Sequence, residues 1–361
     1  MKRYVSPLLL PLLLVANVLS QTVSKDEKRP FNMLVLGDSI LWGQGLKAEH
    51  KSWYQVKTWL EQKTGRSVDV RVEAHSGAVI DLDPSYDPLS ARNPEVNVAL
   101  PTLNQQLDNV AKFYADPSQV DLVLFSGCGN DVGLLNLLNA SDTKEINRLT
   151  EAHCGAPMEK LLRRIATSFP SSIIVVAGYY PIFSERTRND FVLKGLTKRF
   201  LKATPGSPRT SSKEVLVRLT SNSKDWYEAS NNTLGGVVQT VNEELGAGPT
   251  RIYFAKIQFP AEYAFAANET RLWGFDRFPL RMMVLFLSFG RTVLPANDEV
   301  RGTRVQSCKE VFRREAKETN DQRKEHRRLL LLCKYASLGH PNQKGAALYA
   351  QAIIQRLTPL R

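Results

Sequence analysis

The feature that most constrains the fold is a series of five short apolar runs, each rich in Val, Ile or Leu and separated from the next by a longer segment. The runs are Met33–Leu36, Val68–Glu73, Asp121–Phe125, Ser172–Ala177 and Arg251–Lys256. Continuous apolar runs of this length are typical of strands that are buried on both faces. Because helical patterns lie between them, the alternation predicts an α/β domain with a parallel sheet.

Apolar residues in the intervening segments recur at the three- and four-residue spacing of a helix with one buried face. This spacing covers 53–60, 103–114 and 158–165, and a last, Ala-rich helix is predicted over Gln343–Leu357. Two segments, 182–249 and 258–334, do not fit the alternation. We interpret them as insertions into one domain that extends over 21–361, with the charged run 309–328 forming a solvated helix face.

The first twenty residues have the pattern of a secretory leader. Lys2 and Arg3 are followed by an interrupted apolar stretch over 8–19 and by small residues that end at Ser20. The apolar stretch is too short to span a bilayer comfortably. We therefore predict a signal peptide over 1–20, a secreted protein in the extracellular or periplasmic space, and no stable membrane span.

The cysteine count fits an exported chain, because an even number in an oxidising compartment favours disulfides. The four cysteines are Cys128, Cys154, Cys308 and Cys333, and none has the spacing of a zinc site. Three pairings are possible. We favour the local one, Cys128–Cys154 with Cys308–Cys333, in which each bond would stabilise the fold by about 3 kcal/mol.

The net charge of +12, from 48 Lys and Arg against 36 Asp and Glu, is typical of proteins with nucleic-acid or anionic partners. Most of it lies outside the predicted sheet domain: 182–249 carries +3, 258–334 carries +5 and the leader carries +2. The sheet domain is thus nearly neutral, and no nucleic-acid-binding motif accompanies the charge. We predict no nucleic-acid partner.

The strongest chemical signal is Gly37-Asp38-Ser39, directly after the first apolar run. Sites in parallel α/β sheets form at the carboxyl ends of the strands, where a serine hydroxyl can be exposed as a nucleophile. Serine needs a base with a pKa near 7, and histidine is the usual one. His340 directly precedes the last predicted helix and is the best candidate, while His75, after the second run, could line a cleft.

Two other strand ends carry groups that suit a developing oxyanion. Gly129-Asn130-Asp131 follows the third run, and an asparagine amide can donate to negative charge there. Ser76-Gly77 follows the second run, and a glycine lets a backbone N–H approach a substrate closely. Each pattern alone also occurs in ordinary turns, so the evidence lies in their combination.

Ser, Gly, Asn and His in this order, each after a strand or before the last helix, resemble the SGNH (GDSL) hydrolase family. The matching blocks are Gly37-Asp38-Ser39-Ile40 with Trp42-Gly43-Gln44-Gly45, then Ser76-Gly77, Gly129-Asn130-Asp131, and His340-Pro341-Asn342 with Gly345. The resemblance spans about 31–357 outside most of the two insertions. It implies a three-layer α/β/α sandwich of the flavodoxin type around a five-stranded parallel sheet.

The resemblance also implies roles for the matched residues. Ser39 would be the acyl-accepting nucleophile, and His340 would be the base that deprotonates it and later the acid for the leaving alcohol. The backbone N–H groups of Ser39 and Gly77, with the side chain of Asn130, would form the oxyanion hole. No cofactor and no metal are implied.

Two positions depart from the family pattern. Ser337 stands where the family usually has the triad aspartate, and a hydroxyl cannot stabilise an imidazolium as a carboxylate does. A backbone carbonyl or Ser337 could orient His340, an acid could come from the insertions, or activity could be low; we favour a Ser–His dyad. Cys128 stands where the family usually has glycine, and Asp38 and Asp131 match structural supports.

We therefore predict an exported serine ester hydrolase, of the acyl or acetyl esterase or lipase type, whose partner is a small-molecule, lipid or carbohydrate ester. Candidates for an acyl site are Phe259, Tyr263, Phe265, Trp273, Phe275 and the apolar patch 282–289. Acyl transfer by the same residues is one alternative. A catalytically weak member that binds glycan or cell-surface material is another, because the usual triad aspartate is missing.

Overall fold

The structure is a computed structural model that describes residues 29–83, 89–114, 116–140, 142–189, 211–246, 251–275, 296–313 and 319–358. The predicted leader and the apolar patch 282–289 lie outside the described residues. Within these ranges, no helix is both long enough and apolar enough to cross a membrane.

Five parallel strands form one sheet in the order β2-β1-β3-β4-β5. They are β1 (Phe31–Leu36), β2 (Val68–Val72), β3 (Val120–Phe125), β4 (Ile173–Ala177) and β5 (Ile252–Ala255). Each predicted strand is present within two residues of its expected bounds. The strand order is that of flavodoxin-like sheets, so the predicted α/β fold with a five-stranded parallel sheet is confirmed.

Helices cover both faces of the sheet. Those that precede β4 are α1 (Ser39–Trp42), α2 (Ser52–Thr64), α3 (Leu103–Phe113), α4 (Gly129–Val132), α5 (Leu134–Asn139), α6 (Thr143–Cys154) and α7 (Ala156–Ser168). Those that follow β4 are α8 (Ser212–Glu244), α9 (Arg301–Val311), α10 (Asn320–Lys334) and α11 (Gln343–Leu357). Helix α2 packs against α11, while α7 packs against both α3 and α8. The sheet is therefore the middle layer of three.

Helix α8 connects β4 to β5, although its sequence lies in the segment 182–249 that we interpret as an insertion. Ser211 and Glu214 form a capping box at its start, so the chain marks where this helix begins. Its inner face buries apolar side chains at helical spacing, namely Leu219, Trp226, Leu234, Val237, Val238 and Val241. This part of the segment thus supplies the crossover that a parallel strand pair requires.

The predicted disulfide pairing is confirmed. Cys128 is bonded to Cys154, and Cys308 is bonded to Cys333. The first bond joins the start of α4 to the end of α6, and the second joins α9 to α10. Both bonds are compatible with the oxidising compartment that we expect.

Candidate active site

Ser39 and His340 meet at the carboxyl edge of the sheet although 301 positions separate them in the chain. The Oγ of Ser39 lies 2.8 Å from Nε2 of His340. Ser39 is the first residue of α1, three residues after the end of β1, and its side chain is largely buried. The sequence-predicted nucleophile and base are thus within hydrogen-bond distance, the geometry that proton transfer between them requires.

The turn that presents Ser39 is fixed by the carboxylate of the preceding residue. Asp38 is buried and accepts hydrogen bonds from the N–H of Ile40, the hydroxyl of Ser126 and the hydroxyl of Tyr179, at 3.0, 2.8 and 2.7 Å. Burial raises the pKa of Asp38, and these three donors oppose that rise. All visible partners of this carboxylate belong to the scaffold, which agrees with its expected role as a support.

The loop that carries His340 is pinned through its backbone. The N–H of Trp273 donates to the carbonyl of His340 at 2.7 Å, and the hydroxyl of Tyr180 donates to the carbonyl of Gly339 at 2.7 Å. The side chain of Asn342 then caps α11 by accepting from Lys344 and Gly345. These contacts fix the position of the imidazole without touching its ring.

The proposed oxyanion donors belong to residues that line the cavity beside the Ser39–His340 pair. Gly77 has a φ of +83°, and a Cβ built on it would lie 2.5 Å from Oδ1 of Asn97, so only glycine fits there. The side-chain amide of Asn130 donates to the carbonyl of Ala78 at 2.9 Å. An amide carries two hydrogens, so this bond orients the group and leaves the second hydrogen for a substrate. Ser39, Gly77, Asn130 and His340 all line one cavity.

The backbone conformation at Cys128 bears on one departure from the pattern of the family that the sequence resembles. Its φ is +84°, in the left-handed region that favours glycine, and it directly precedes Gly129, the first residue of α4. The disulfide to Cys154 ties this strained residue to α6. Asp131 further anchors the loop by accepting from the N–H of Ile80 at 2.9 Å, and burial raises the pKa of Asp131 to about 7.

Ser337 does not replace the missing carboxylate by contacting the histidine. Its hydroxyl donates to Asp298 at 2.7 Å and accepts from Arg304 at 3.0 Å. Asp298 and Arg304 form a two-pronged ion pair at 2.8 and 2.5 Å, and Arg304 also lies 3.3 Å from Glu95. The side chains of Asp298 and Arg304 are fully buried. A carboxylate from the second insertion, that of Asp298, therefore lies next to position 337. It is hydrogen-bonded to Arg304 and Ser337.

The Nδ1 atom of His340 is buried and has no hydrogen-bond partner among the described residues. Backbone carbonyls of Leu338, Ala336 and Ser337 lie near enough to favour the protonated ring, but burial and the positive charge of Arg304 outweigh them. Together they lower the pKa of His340 to about 4. The imidazole is therefore neutral at pH 7 and can accept a proton, with its orientation set by the loop and not by a carboxylate.

The cavity beside the Ser39–His340 pair measures about 610 Å³. Its walls away from the pair are apolar, and they come from the end of β4, from α5 and α8, and from α10. Their members include Leu137, Tyr179, Tyr180, Ile182, Phe183, Leu219, Trp226, Phe265, Phe312, Leu329 and Leu332. Phe265 is the member of the predicted aromatic acyl-site set that lines this cavity.

The remaining described members of that set lie elsewhere, so the expectation is wrong for them. Phe259 packs against Tyr180 and Tyr263, and Trp273 belongs to a small cluster with Leu46 and Ala346. Phe275 packs against Tyr335. The wall instead uses residues of α5, α8 and α10, which the sequence pattern did not single out because nothing local distinguishes a cavity-facing leucine from a core leucine.

His75 is buried outside the cavity lining, with its Nδ1 2.8 Å from the carbonyl of Ser76. Burial lowers its pKa. Because it faces the loop that it belongs to, the structure gives it no contact with the Ser39–His340 pair. Within the described ranges, no group of three or more His, Cys, Asp or Glu side chains is placed to hold a metal ion.

Sequence reasoning missed the network around Glu95. This buried carboxylate accepts from Trp42, Gln44 and the N–H of Gly45, which are three positions of the first family block, and it also faces Arg304. Burial raises the pKa of Glu95. The only sequence signal was the Trp-Gly-Gln-Gly pattern itself, whose partners lie 50 or more positions away.

No protein-family model matches the chain, and no curated protein is significantly similar to it. Among solved structures, an extracellular lipase from Streptomyces rimosus is 15% identical, with 68% of this chain and 88% of that one covered and a TM-score of 0.42. Phospholipase A1 from Streptomyces albidoflavus NA297 is 13% identical, with 69% and 89% covered and a TM-score of 0.41.

A family 3 carbohydrate esterase from Clostridium thermocellum is 17% identical, with 64% of this chain and 82% of that one covered and a TM-score of 0.33. At such identities and scores these likenesses carry no argument about activity. The functional conclusion therefore has to come from the geometry of the site.

Proposed function

We propose that this protein is an exported serine ester hydrolase of the SGNH type, in which Ser39 and His340 act as a catalytic dyad. The observation that carries the proposal is the 2.8 Å contact between Oγ of Ser39 and Nε2 of His340 at the edge of an apolar cavity. A serine paired with a neutral imidazole beside amide donors is the arrangement that acyl transfer to serine requires.

In the first half of the reaction, Ser39 Oγ attacks the ester carbonyl carbon while Nε2 of His340 takes the hydroxyl proton. The carbonyl oxygen becomes an oxyanion, which the N–H groups of Ser39 and Gly77 and the amide of Asn130 stabilise. The intermediate collapses to an acyl-serine. The bond to the alcohol oxygen breaks, and the alcohol leaves with the proton from His340.

In the second half, a water molecule replaces the alcohol. His340 takes a proton from the water, the resulting hydroxide attacks the acyl-serine, and a second oxyanion forms on the same donors. Its collapse releases the carboxylic acid and returns the proton to Oγ of Ser39. An alcohol that occupied the position of the water would give acyl transfer instead, so the two reactions differ only in the acceptor.

The low pKa of His340 should lower the rate of this reaction. A weak base deprotonates serine less readily, and the ion pair that a triad aspartate would form with the imidazolium is absent. We therefore expect slower turnover than in an enzyme with a complete triad, and an activity that persists into mildly acidic solution.

The test is hydrolysis of p-nitrophenyl esters by the wild type, by Ser39→Ala and by the control Ser118→Ala. Ser118 is exposed just before the start of β3, at the end away from the site, and its N–H and hydroxyl donate to Asp116. We expect turnover that Ser39→Ala abolishes and Ser118→Ala preserves. A folded wild-type protein that hydrolyses no ester in a broad panel would overturn the proposal and favour a binding role.

A further inference from the structure

The lining of the cavity is mainly apolar, and its polar members besides the tyrosines and a tryptophan are Asp38, Ser39, Asn97, Asn130, Asn136 and His340. Among the described lining residues there is no Lys, Arg or Glu, and the one carboxylate, Asp38, is already hydrogen-bonded to the scaffold. The hydroxyl of Tyr179 donates towards Gly127 and Asp38, and that of Tyr180 donates to Gly339. These tyrosines therefore offer ring surface to the cavity while their hydroxyls are engaged with the protein.

Moving a carbohydrate from water into this cavity would cost more free energy in lost hydrogen bonds than its contacts with the walls would return. Each sugar hydroxyl that leaves water needs a hydrogen-bond partner, and an unpartnered buried hydroxyl carries a free-energy penalty. The walls formed by Leu137, Leu219 and Leu332 offer none, and Trp226 offers only one indole N–H. An alkyl chain has no such requirement and buries apolar surface against the same walls.

The volume of the cavity indicates how long that chain is. A methylene group is similar in size to a water molecule, which occupies about 30 Å³ in the liquid. A cavity of about 610 Å³ can therefore take a chain well beyond eight carbons, even when only half of it is filled. An acetyl group would leave nearly all of it empty.

Two sets of apolar side chains line this space. One consists of Leu137 from α5 with Leu219 and Trp226 from α8, all of them buried. The other includes Leu329 and Leu332 from α10, next to Cys333, whose disulfide to Cys308 holds α10 on α9. An alkyl chain placed along these side chains would bury apolar surface.

Resting on the proposed hydrolase function, we propose that this cavity is the acyl site for esters of medium-chain to long-chain unbranched fatty acids, and that acetylated carbohydrate is not the substrate. The carbonyl carbon of the ester lies at Ser39, and the alkyl chain extends between the α5–α8 wall and the α10 wall. Specificity thus comes from burial of the acyl chain.

The experiment measures kcat/KM for p-nitrophenyl esters from acetate to palmitate. We expect a rise of up to about fourfold per added CH2, as the transfer of a methylene out of water allows, with an optimum at eight carbons or more. Acetylated xylan should be hydrolysed at least 100-fold more slowly than the best fatty-acyl ester. An optimum at acetate, or a preference for acetylated xylan, would overturn the inference.

Two substitutions in α8 test where the acyl chain of the substrate lies. Leu219→Phe adds bulk to the wall, since Leu219 is 1% exposed and lines the cavity, whereas Val217→Phe is the matched control because Val217 is 64% exposed on the same helix. We expect Leu219→Phe to shift the optimum to chains at least two carbons shorter. Val217→Phe should keep the wild-type profile.

If Leu219→Phe does not fold, Leu219→Ala serves instead, and we expect it to shift the optimum to longer chains. An unchanged profile in the folded variants would contradict the placement of the chain. The outcomes for the two proposals are distinct: no hydrolysis of any ester refutes the hydrolase function itself, while robust hydrolysis with no dependence on chain length refutes only the acyl site.

Discussion

The nucleophile side of the site and the histidine side are held by different kinds of interaction. Ser39, Gly77 and Asn130 lie three, five and five residues beyond the ends of β1, β2 and β3, so the backbone ladder of a buried parallel sheet sets where their loops begin. His340 lies in a loop between α10 and α11, which contacts from Trp273 and Tyr180 hold in place. A buried ion network, Asp298 with Arg304, lies beside that loop and reaches the segment after Ser39 through Glu95, which accepts from Gln44.

This difference explains why the two sides depart from the family pattern to different degrees. On the strand side the one change, Cys128, keeps the left-handed backbone that the loop needs and adds a disulfide. On the histidine side Ser337 stands where the family that the sequence resembles has its triad acid, and the nearby carboxylate of Asp298 is paired with Arg304.

The largest effect that we predict is on activity, from His340→Ala. General-base catalysis by a positioned histidine typically contributes 10²–10⁴-fold, and we expect kcat/KM for the best ester to fall by about 10³-fold. The matched control is His153→Ala, since His153 lies in the last turn of α6. A loss of less than tenfold in a folded His340→Ala protein would show that the histidine side does not take part in catalysis.

The next largest effect is on stability, from Arg304→Met. Removing this fully buried guanidinium leaves Asp298 without its ion-pair partner and takes from Glu95 one of its two nearby cations, the other being Lys51. Breaking a buried pair in this way costs about 3–5 kcal/mol, which chemical denaturation followed by circular dichroism measures. Arg356→Met, at an exposed position of α11, should stay within about 0.5 kcal/mol of wild type. Equal effects of the two substitutions would contradict the role of the network.

On the strand side, Asn130→Ala should lower kcat by about 100-fold, because one oxyanion donor is typically worth that much or more. The affinity for substrate should change little, since the donor acts mainly when negative charge develops. Asn136→Ala provides the comparison: Asn136 lines the same cavity, and its amide donates to Val132 within the scaffold. If both variants lose activity equally, the amide of Asn130 has no special part.

The pH profile tests the histidine side without a mutation. Because burial and Arg304 lower the pKa of His340 to about 4, the imidazole stays neutral, and able to act as a base, down to that pH. The acid limb of kcat/KM should therefore fall near pH 4 and not near 6.5. The free energy of unfolding should also decrease as the pH falls from about 6.5 to about 4. Over this range the histidine binds more protons in the unfolded state than in the folded state. An acid limb near pH 6.5 would contradict this assignment.

The smallest effect on activity is expected from Ser337→Ala. Its hydroxyl contacts Asp298 and Arg304, while Nδ1 of His340 has no hydrogen-bond partner among the described residues. We predict a change in kcat of less than about fivefold, against the roughly 10⁴-fold that loss of a triad carboxylate costs. A loss of 10³-fold would mean that Ser337 orients the imidazole and that the dyad description is incomplete.

The sheet and the strand side of the site could be predicted because their signals are local. A buried parallel strand is a continuous apolar run, and Ser39, Gly77 and Asn130 follow such runs directly. The 33-residue helix α8 was not predicted, because its polar outer face dominates the composition of 182–249 and hides the apolar stripe around Trp226.

The ion network and the cavity wall could not be predicted for a different reason. Glu95 and Arg304 are 209 positions apart, and nothing near either residue indicates a partner. Leu219 and Leu332 likewise read as ordinary core positions of their helices. Only the packing of α8 and α10 around the end of β4 determines which leucines face the space beside Ser39.

The central claim is that Ser39 is a nucleophile activated by His340. The most direct measurement is labelling of the folded protein by a fluorophosphonate, with the modified peptide identified by mass spectrometry, in the wild type and in His340→Ala. We expect stoichiometric modification of Ser39 in the wild type and labelling at least 100-fold slower in the variant. No modification of Ser39 in the folded wild type, or equal labelling rates in the two proteins, would contradict the account.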